Sequence, residues 1–318
     1  MPSLNEVHVD QALTDYSSAL FQNLGGSVAS QAFSNRNVAQ QSNRFHIYTA
    51  ADLHRTDAQK RAPNTSSPRK DYGIATGVYT CDVWSLAYDV SEQERANADA
   101  VLDVEQDAAT LLMDDLIMTE NTQWAASAFA LSVWGGTDQV GGTNFTQWDD
   151  AASTPIEDLR GQATDMLAAT GREPNKLVLG HDSWASGLVD HPDLLDRIKH
   201  TQTGIVTESL LAGILGLDRI IRSSSIRNTA DEGATETAAL QLGDNALLLH
   251  APDNVGPRQA TAGIRFNWSG LLGGTQGVRT KRYEIPQDDA FPRVESDMAF
   301  DHHVQTAGLG RFFSNVIA

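Results

Sequence analysis

Gly180-His181-Asp182-Ser183-Trp184 is the stretch that comes nearest to a catalytic motif: a hydroxyl beside an imidazole and a carboxylate, placed after a short apolar run. That setting suits a nucleophile elbow, in which a tight strand-to-helix turn exposes a serine. The elbow needs Gly-x-Ser-x-Gly, and here Ser183 is three residues from Gly180, with Trp184 and Ala185 after it. Asp182 or Ser183 reads better as a helix N-cap, its side-chain oxygen accepting a backbone N–H. An α/β hydrolase using Ser183 is the minor alternative.

Asp301-His302-His303 contains the one adjacent histidine pair. Neighbours in a strand point to opposite faces, so both rings do not readily reach one metal. A surface or interface role is expected for the pair. His46, His54, His181, His191, His200 and His250 are scattered without ligand spacing. Gly270-Leu-Leu-Gly273-Gly274 and Gly277 lack the Lys-Ser/Thr of a P-loop and read as a flexible connection. Cys81 is the only cysteine, which excludes an intrachain disulfide framework and a Cys-only zinc site. It has no histidine beside it and is expected as a small core or half-buried residue. No catalytic residue, cofactor or metal is assigned, and the chain is not read as an enzyme.

With 318 residues, 41% hydrophobic and 20% charged, the chain has globular composition and ample length for a core. The net charge of −18 argues against general nucleic-acid binding, which needs lysine and arginine on phosphates. Of the acids 29 are Asp, and of the bases only five are Lys. That balance fits either solubility in high salt, where self-repulsion is screened, or a GC-rich genome. No 18-residue apolar run marks a membrane span, and no signal peptide is visible.

The elements follow from patterning. Residues 1–48 are polar. Leu13, Tyr16, Leu20 and Phe21 suggest a short helix stopped by Gly25-Gly26, and Gln31 to Asn43, almost without apolar periodicity, reads either as an arm ordered by contacts outside itself or as a frayed terminus. Residues 49–72 form a basic loop, and Gly73 to Val90, rich in β-branched and aromatic residues, reads as half of a long hairpin with that loop at its tip. Ser91-Glu92-Gln93-Glu94 is a capping box for a helix running to about Glu120. Residues 121–153 are loop-rich. Thr154-Pro155 opens a helix that Gly171 ends. Lys176–Leu179 is a buried strand, helices follow from Asp182 or Ser183, at His191–Ile198 and at Ser209–Leu215, and strands are expected at 218–222 and 245–249. Val294 to His303 is extended, and the apolar end reads as buried.

Charge is segregated along this order. Residues 44–70 hold six bases against two acids, and residues 91–120 hold nine acids against Arg95. A basic loop and an acidic helix on one chain are what interlocking copies would use to fix register. The candidate inter-subunit residues are Arg55, Lys60, Arg61, Arg69 and Lys70 on the loop, with Asp99, Asp103, Asp107, Asp114 and Asp115 on the helix.

Polar arm, extended hairpin, long helix, α/β region and terminal extended segment together resemble the major capsid proteins of tailed double-stranded DNA viruses, the HK97-fold family. The most specific stretches are Pro174-Asn-Lys-Leu-Val-Leu-Gly180, His191-Pro-Asp-Leu-Leu-Asp-Arg-Ile-Lys199 and Thr201-Gln-Thr-Gly-Ile-Val-Thr-Glu208, with Gly73 to Val90 and Phe300 to Ile317 in support. The resemblance implies an α+β fold: an N-terminal arm at 1–48, an extended loop at 49–90, a peripheral domain with a spine helix at 91–150, an axial domain at 151–289, and a C-terminal segment at 290–318 returning to the peripheral domain. It further implies a homo-oligomeric icosahedral shell of pentamers and hexamers around packaged double-stranded DNA, located in the virion and assembled in the host cell cytoplasm. A separate scaffolding protein, a portal and a cement protein are the implied partners, without sequence-specific DNA binding and without a membrane. An encapsulin-like non-viral shell is the main alternative.

Overall fold

The structure, a computed structural model, describes residues 8–9, 27–48, 56–67, 69, 73–91, 93, 104–199, 206–231, 233–253, 256, 259–273, 277–283 and 290–318. In chain order the first elements are β1 (His8–Val9), α1 (Val28–Ala32), β2 (Ser34–Val38), β3 (Ser42–Tyr48), β4 (Ile74–Thr80), β5 (Asp82–Ser91) and α2 (Val104–Ala128). Then come β6 (Gln139–Val140), α3 (Pro155–Thr170), β7 (Lys176–Gly180), α4 (His181–Trp184), α5 (Pro192–Ile198), α6 (Glu208–Leu215), β8 (Arg219–Ser223), β9 (Ile226–Asn228) and β10 (Ala238–Leu240). The last are β11 (Ala246–Leu249), β12 (Gly263–Trp268), α7 (Ser269–Leu272), β13 (Val278–Tyr283), β14 (Ala290–Val304) and β15 (Gly310–Ser314).

One core is built on a five-stranded sheet of order β6-β15-β11-β7-β8. Its central strands read as continuous apolar runs because both faces are covered. Val178, Ile221, Leu247, Leu249 and Phe312 point to one face, against α1 and the C-terminal part of α2. Leu177, Leu179, Ile220, Ala246, Leu248 and Phe313 point to the other, against α3, α5 and α6. The expected strands at 176–179, 218–222 and 245–249 are all in this sheet. Helix α3 ends as expected at Gly171, in the left-handed conformation at φ 68. Thr154 precedes it without a side-chain cap. His191 caps α5, its Nδ1 accepting the Asp193 N–H at 3.2 Å.

The second sheet has six strands. β14, fifteen residues long, pairs with β5 along one edge and with β13 and then β12 along the other. β1 extends the β13 side, and β2 lies parallel to β12. Helix α2 covers one face: Met113 and Leu116 pack on Val278, Met298 and Phe300, and Ala109 and Leu112 on Val294.

Three expectations change. Residues 27–38 are not an arm ordered from outside. Ser27 accepts the Ser30 N–H at 3.1 Å, and Val28, Ala29, Ala32 and Phe33 bury against Trp124, with Phe33 edge-on to that indole at 5.7 Å. Five helical residues are too few for periodicity to announce them. The long helix runs eight residues past Glu120, to Ala128, because Trp124 and Ala128 belong to the five-stranded core. The expected capping box lies partly outside the described residues: Ser91 ends β5 and Gln93 is helical, while Glu92 and Glu94 are not described. Residues 290–318 divide between sheets: β14 lies in the six-stranded one, and β15 pairs with β11 in the other. The helix expected around Leu13 to Phe21 also lies outside the described residues.

Candidate assembly interface

β3 and β4 pair antiparallel from Ser42↔Thr80 to Tyr48↔Ile74, so they form the hairpin whose tip is the basic loop. Its base is anchored on the six-stranded sheet. Tyr79 stacks on Phe266 at 4.5 Å, Phe45 meets Phe266 at 5.3 Å, and Cys81 is buried with them. Gly77 makes room for this packing, since a Cβ there would stand 2.5 Å from the Phe45 ring. Ile47 also packs on this cluster, and the other face of the ribbon is open: Val78 is 58% exposed, and Thr76 and His46 are exposed. At the tip Lys60, Arg61 and Arg69 are exposed. Arg61 Nη1 donates to Ser67 Oγ at 3.3 Å. Arg55 and Lys70 lie outside the described residues.

Helix α2 presents a distinct outer face. Asp107, Leu111, Asp114, Asp115 and Met118 recur at spacings of three and four and are all exposed, Leu111 to 65%. Asp99 and Asp103 lie outside the described residues. Two other acids are not surface charges of this face: Glu105 pairs with Arg282 at 2.9 Å, and Glu120 is fully buried. Among the described residues no ion pair joins the tip to this face within the chain. Other cations are neutralised internally. On the side of the six-stranded sheet away from α2, Lys281 and Arg279 reach Asp297 at 2.6 and 2.8 Å, Lys281 reaches Glu295 at 2.8 Å, and Arg293 pairs with Asp89. These partners outweigh burial and hold the Asp297 carboxyl below its ordinary value.

No family model matches the chain. Over 209 residues it is 23% identical to the major capsid protein of Burkholderia phage BcepMu, a match covering 66% of this chain and 65% of that relative, just under two thirds of its length. Among solved structures, a phage-related protein from Bordetella bronchiseptica superposes with a TM-score of 0.71 at 18% identity, over 98% of both chains. The capsid of cyanophage P-SCSP1u gives 0.58 at 14% identity, over 89% of this chain and 86% of that one. The chain has the HK97 capsid fold. The same fold extends to the holo-SrpI encapsulin complex of Synechococcus elongatus PCC 7942, with a TM-score of 0.56 at 12% identity over 91% of this chain and 87% of that one.

Within the HK97 fold the residues with chemical potential have structural work. Ser183 is buried inside α4, not at its N-cap, and its Oγ donates to the Asn245 carbonyl at 3.3 Å. That places it under the sheet's end, where no elbow exposes it. Cys81 is buried; burial and the nearby Asp301 and Asp82 push its thiol up to about 12. The Gly270–Gly273 stretch contains a helical turn, α7. Among the described residues no group of three or more His, Cys, Asp or Glu could hold a metal, and no helix is long and apolar enough to cross a membrane.

The expected surface or interface role of the histidine pair fails at His302, whose side chain is nearly buried and whose Nε2 donates to Glu120 Oε1 at 3.2 Å, while His303 is half-buried, edge-on to Phe45 at 4.9 Å. The strand does send them to opposite faces, but both faces are covered, one by α2 and one by the hairpin base. Sequence reasoning missed Glu120 and Arg265. Both are 0% exposed and joined at 2.5 Å. Burial alone would raise the Glu120 carboxyl; the Arg265 charge and the hydrogen bonds from His302 and Arg265 outweigh it and hold the group at about 2. Glu120 sits at a core position of the α2 pattern, four residues after Leu116 and four before Trp124, and a charge at such a position is the signal that marks it.

Proposed function

We propose that this chain is a major capsid protein that self-assembles through pentamers and hexamers into an icosahedral shell around packaged double-stranded DNA. The observation that carries the reading is the HK97 fold over nearly the whole chain, with the sequence match to a phage major capsid protein beside it. The six-stranded sheet with α2 is assigned to the peripheral domain, and the five-stranded sheet with α3 to α6 to the axial domain around the local symmetry axes. The hairpin of one copy lies on the outer face of α2 in the next, Lys60, Arg61 and Arg69 facing Asp107, Asp114 and Asp115, with Leu111 as the apolar contact between them. Complementary charge sets orientation, and closure of many weak contacts supplies strength. The acidic balance also keeps the wall from adhering to DNA phosphate. The shell forms in the host cytoplasm with a separate scaffolding protein and a portal, and becomes the virion coat. The fold shared with an encapsulin supports a second reading, a non-viral compartment with protein cargo.

Electron microscopy of the purified protein tests the assembly. Large regular shells or five- and six-membered capsomers are expected, and compact monomers at every concentration and salt would overturn it. Particles from the native source then separate the two readings: nuclease-protected DNA identifies a capsid, and a bound protein cargo without DNA identifies the compartment.

A further inference from the structure

Helix α2 belongs to both cores. Its 25 residues, about 37 Å of rise, put Met113 and Leu116 on the six-stranded sheet and Trp124 and Ala128 in the five-stranded core. The crossing falls at residues 118–122. At that single turn the contacts change from apolar to polar, and they reach out in four directions. Glu120 Oε1 accepts from Arg265 Nε of β12 at 2.5 Å and from His302 Nε2 of β14 at 3.2 Å. Arg265 Nη1 in turn donates to Asn35 Oδ1 of β2 at 3.3 Å. Asn121 Oδ1 accepts the Val28 N–H at the start of α1 at 2.7 Å, and its Nδ2 donates to Ser225 Oγ at 3.4 Å. Gln241, which follows β10, donates from Nε2 to Thr122 Oγ1 at 2.6 Å and to the Met118 carbonyl at 3.1 Å.

This turn is a collar of directional bonds at the point where one helix passes from one sheet to the other. Apolar contacts are non-directional, and two packed faces can slide or rotate by fractions of a turn at little cost. Buried ionic and hydrogen-bonded groups do not allow this, because a displaced partner leaves an unpaired charge in the interior. Such groups are best attested as fixing register, not as adding stability.

We propose that the collar formed by Glu120, Arg265, His302, Asn121 and Gln241 fixes the angle between the two sheets, and through it the curvature of the shell. The inference rests on the shell-forming reading and deepens it: these are positioning residues for assembly, and none of the five is a hairpin residue or one of the exposed acids of α2. In a closed shell the same joint recurs in every subunit, so a wider range of angles in one chain becomes a spread in particle diameter.

The test compares wild type with two variants by thermal unfolding of the subunit and by the diameter distribution of assembled particles. In the first variant Glu120→Leu, Arg265→Met and His302→Leu replace the ion cluster with apolar side chains of similar bulk. Such replacement is often neutral or stabilising. It is expected to leave Tm close to wild type while the single diameter is lost to a broad or multiple distribution. In the second, Gln241→Ala removes two bonds at the half-buried rim, with Tm unchanged and a smaller broadening. If the triple variant folds and forms shells of the wild-type diameter, the collar does not set curvature and the proposal is wrong. If the triple variant fails to fold, Gln241→Ala decides alone: broadened diameters support the proposal and wild-type diameters overturn it. Wild type forming no shells under any condition is a separate result, and it sinks the shell-forming reading itself.

Discussion

Strands β11 and β4 are both rich in apolar residues, yet they live in opposite environments. β11 is paired on both edges, by β15 and β7, and all four of its residues are buried. β4 is paired with β3 alone, and Val78 and Thr76 are exposed. A two-stranded ribbon is marginal in water unless something else covers a face. The hairpin is covered on one face, where Phe45, Ile47 and Tyr79 pack with Phe266 and Ile264, while Val78 and Thr76 on the other face are open. One region is paired and covered within the chain; the other leaves a face open among the described residues. That difference is the reason the proposed contact between copies is put on the hairpin.

The comparison sharpens under mutation. The largest effect is expected where the two sheets are tied together. Glu120→Ala leaves Arg265 buried without its carboxylate and should cost about 3–5 kcal/mol, read as a fall in the denaturant midpoint. Within the five-stranded core, Leu247→Ala should cost about 2–5 kcal/mol through lost burial and a residual cavity. Val78→Ala on the hairpin should change subunit stability by less than about 0.5 kcal/mol. Equal losses at Leu247 and Val78 would mean the ribbon is as well supported as the core, and the contrast drawn above would fail.

Acid should act on the same tie. The Glu120 carboxyl is held at about 2 against an ordinary 4.5, so the folded state favours its ionised form. Its contribution is complete above the unfolded value and is lost as pH falls from about 4.5 toward 2, amounting to about 3 kcal/mol. Asp297 and Asp89, both lowered by their cation partners, act in the same direction. Unfolding followed at pH 5 and pH 3 should show about 2 kcal/mol of this loss in wild type, and in Glu120→Gln, which is already destabilised at both, only the part that Asp297 and Asp89 contribute.

How much of this was legible in the sequence depends on which force placed each residue. The runs at 176–180 and 246–249 could be read because a sheet buried on both faces demands unbroken apolar residues. The hairpin could be read from its polar, proline-bearing tip and β-branched arms. The join at residues 27–38 could not, since five helical residues and a strand such as Ser34–Val38 carry no period; their partners, Trp124 and β12, are about 90 and 230 residues away. Glu120 was counted among surface acids, since composition does not distinguish a solvated carboxylate from one facing Arg265. The histidine pair failed for the same reason: alternation assigns His302 and His303 to opposite faces but is silent on what covers either.

Smaller effects probe the hairpin itself. Gly77→Ala places a methyl within 2.5 Å of the Phe45 ring, and the ring cannot yield without leaving Phe266. Overpacking of this kind costs about 1–3 kcal/mol. Because the ribbon touches the sheet on one face only, through Phe45, Ile47 and Tyr79, the loss should be local. Amide exchange should accelerate across β3 and β4 and stay unchanged in β7 and β11. Acceleration in all four strands would show that the hairpin is coupled to the core after all.

The smallest effect on the subunit should be the largest on the assembly. Lys60 and Arg61 are exposed and Lys60 has no ion pair among the described residues, so Lys60→Glu with Arg61→Glu should move subunit stability by less than about 0.5 kcal/mol. If the tip of one copy lies on Asp107, Asp114 and Asp115 of another, reversal turns attraction into repulsion. Wild-type assembly should then weaken with added salt, as surface charges are screened over about 10 Å at 0.1 M. The reversed protein should do the opposite, assembling poorly at low salt and better at high salt. A further reversal on the helix, Asp114→Lys with Asp115→Lys, should restore low-salt assembly to the reversed hairpin. A variant that assembles as wild type does at both salt concentrations would show that the basic tip meets something other than the acidic helix face, and the search for its partner would move to the polar ladder on β13 and β14.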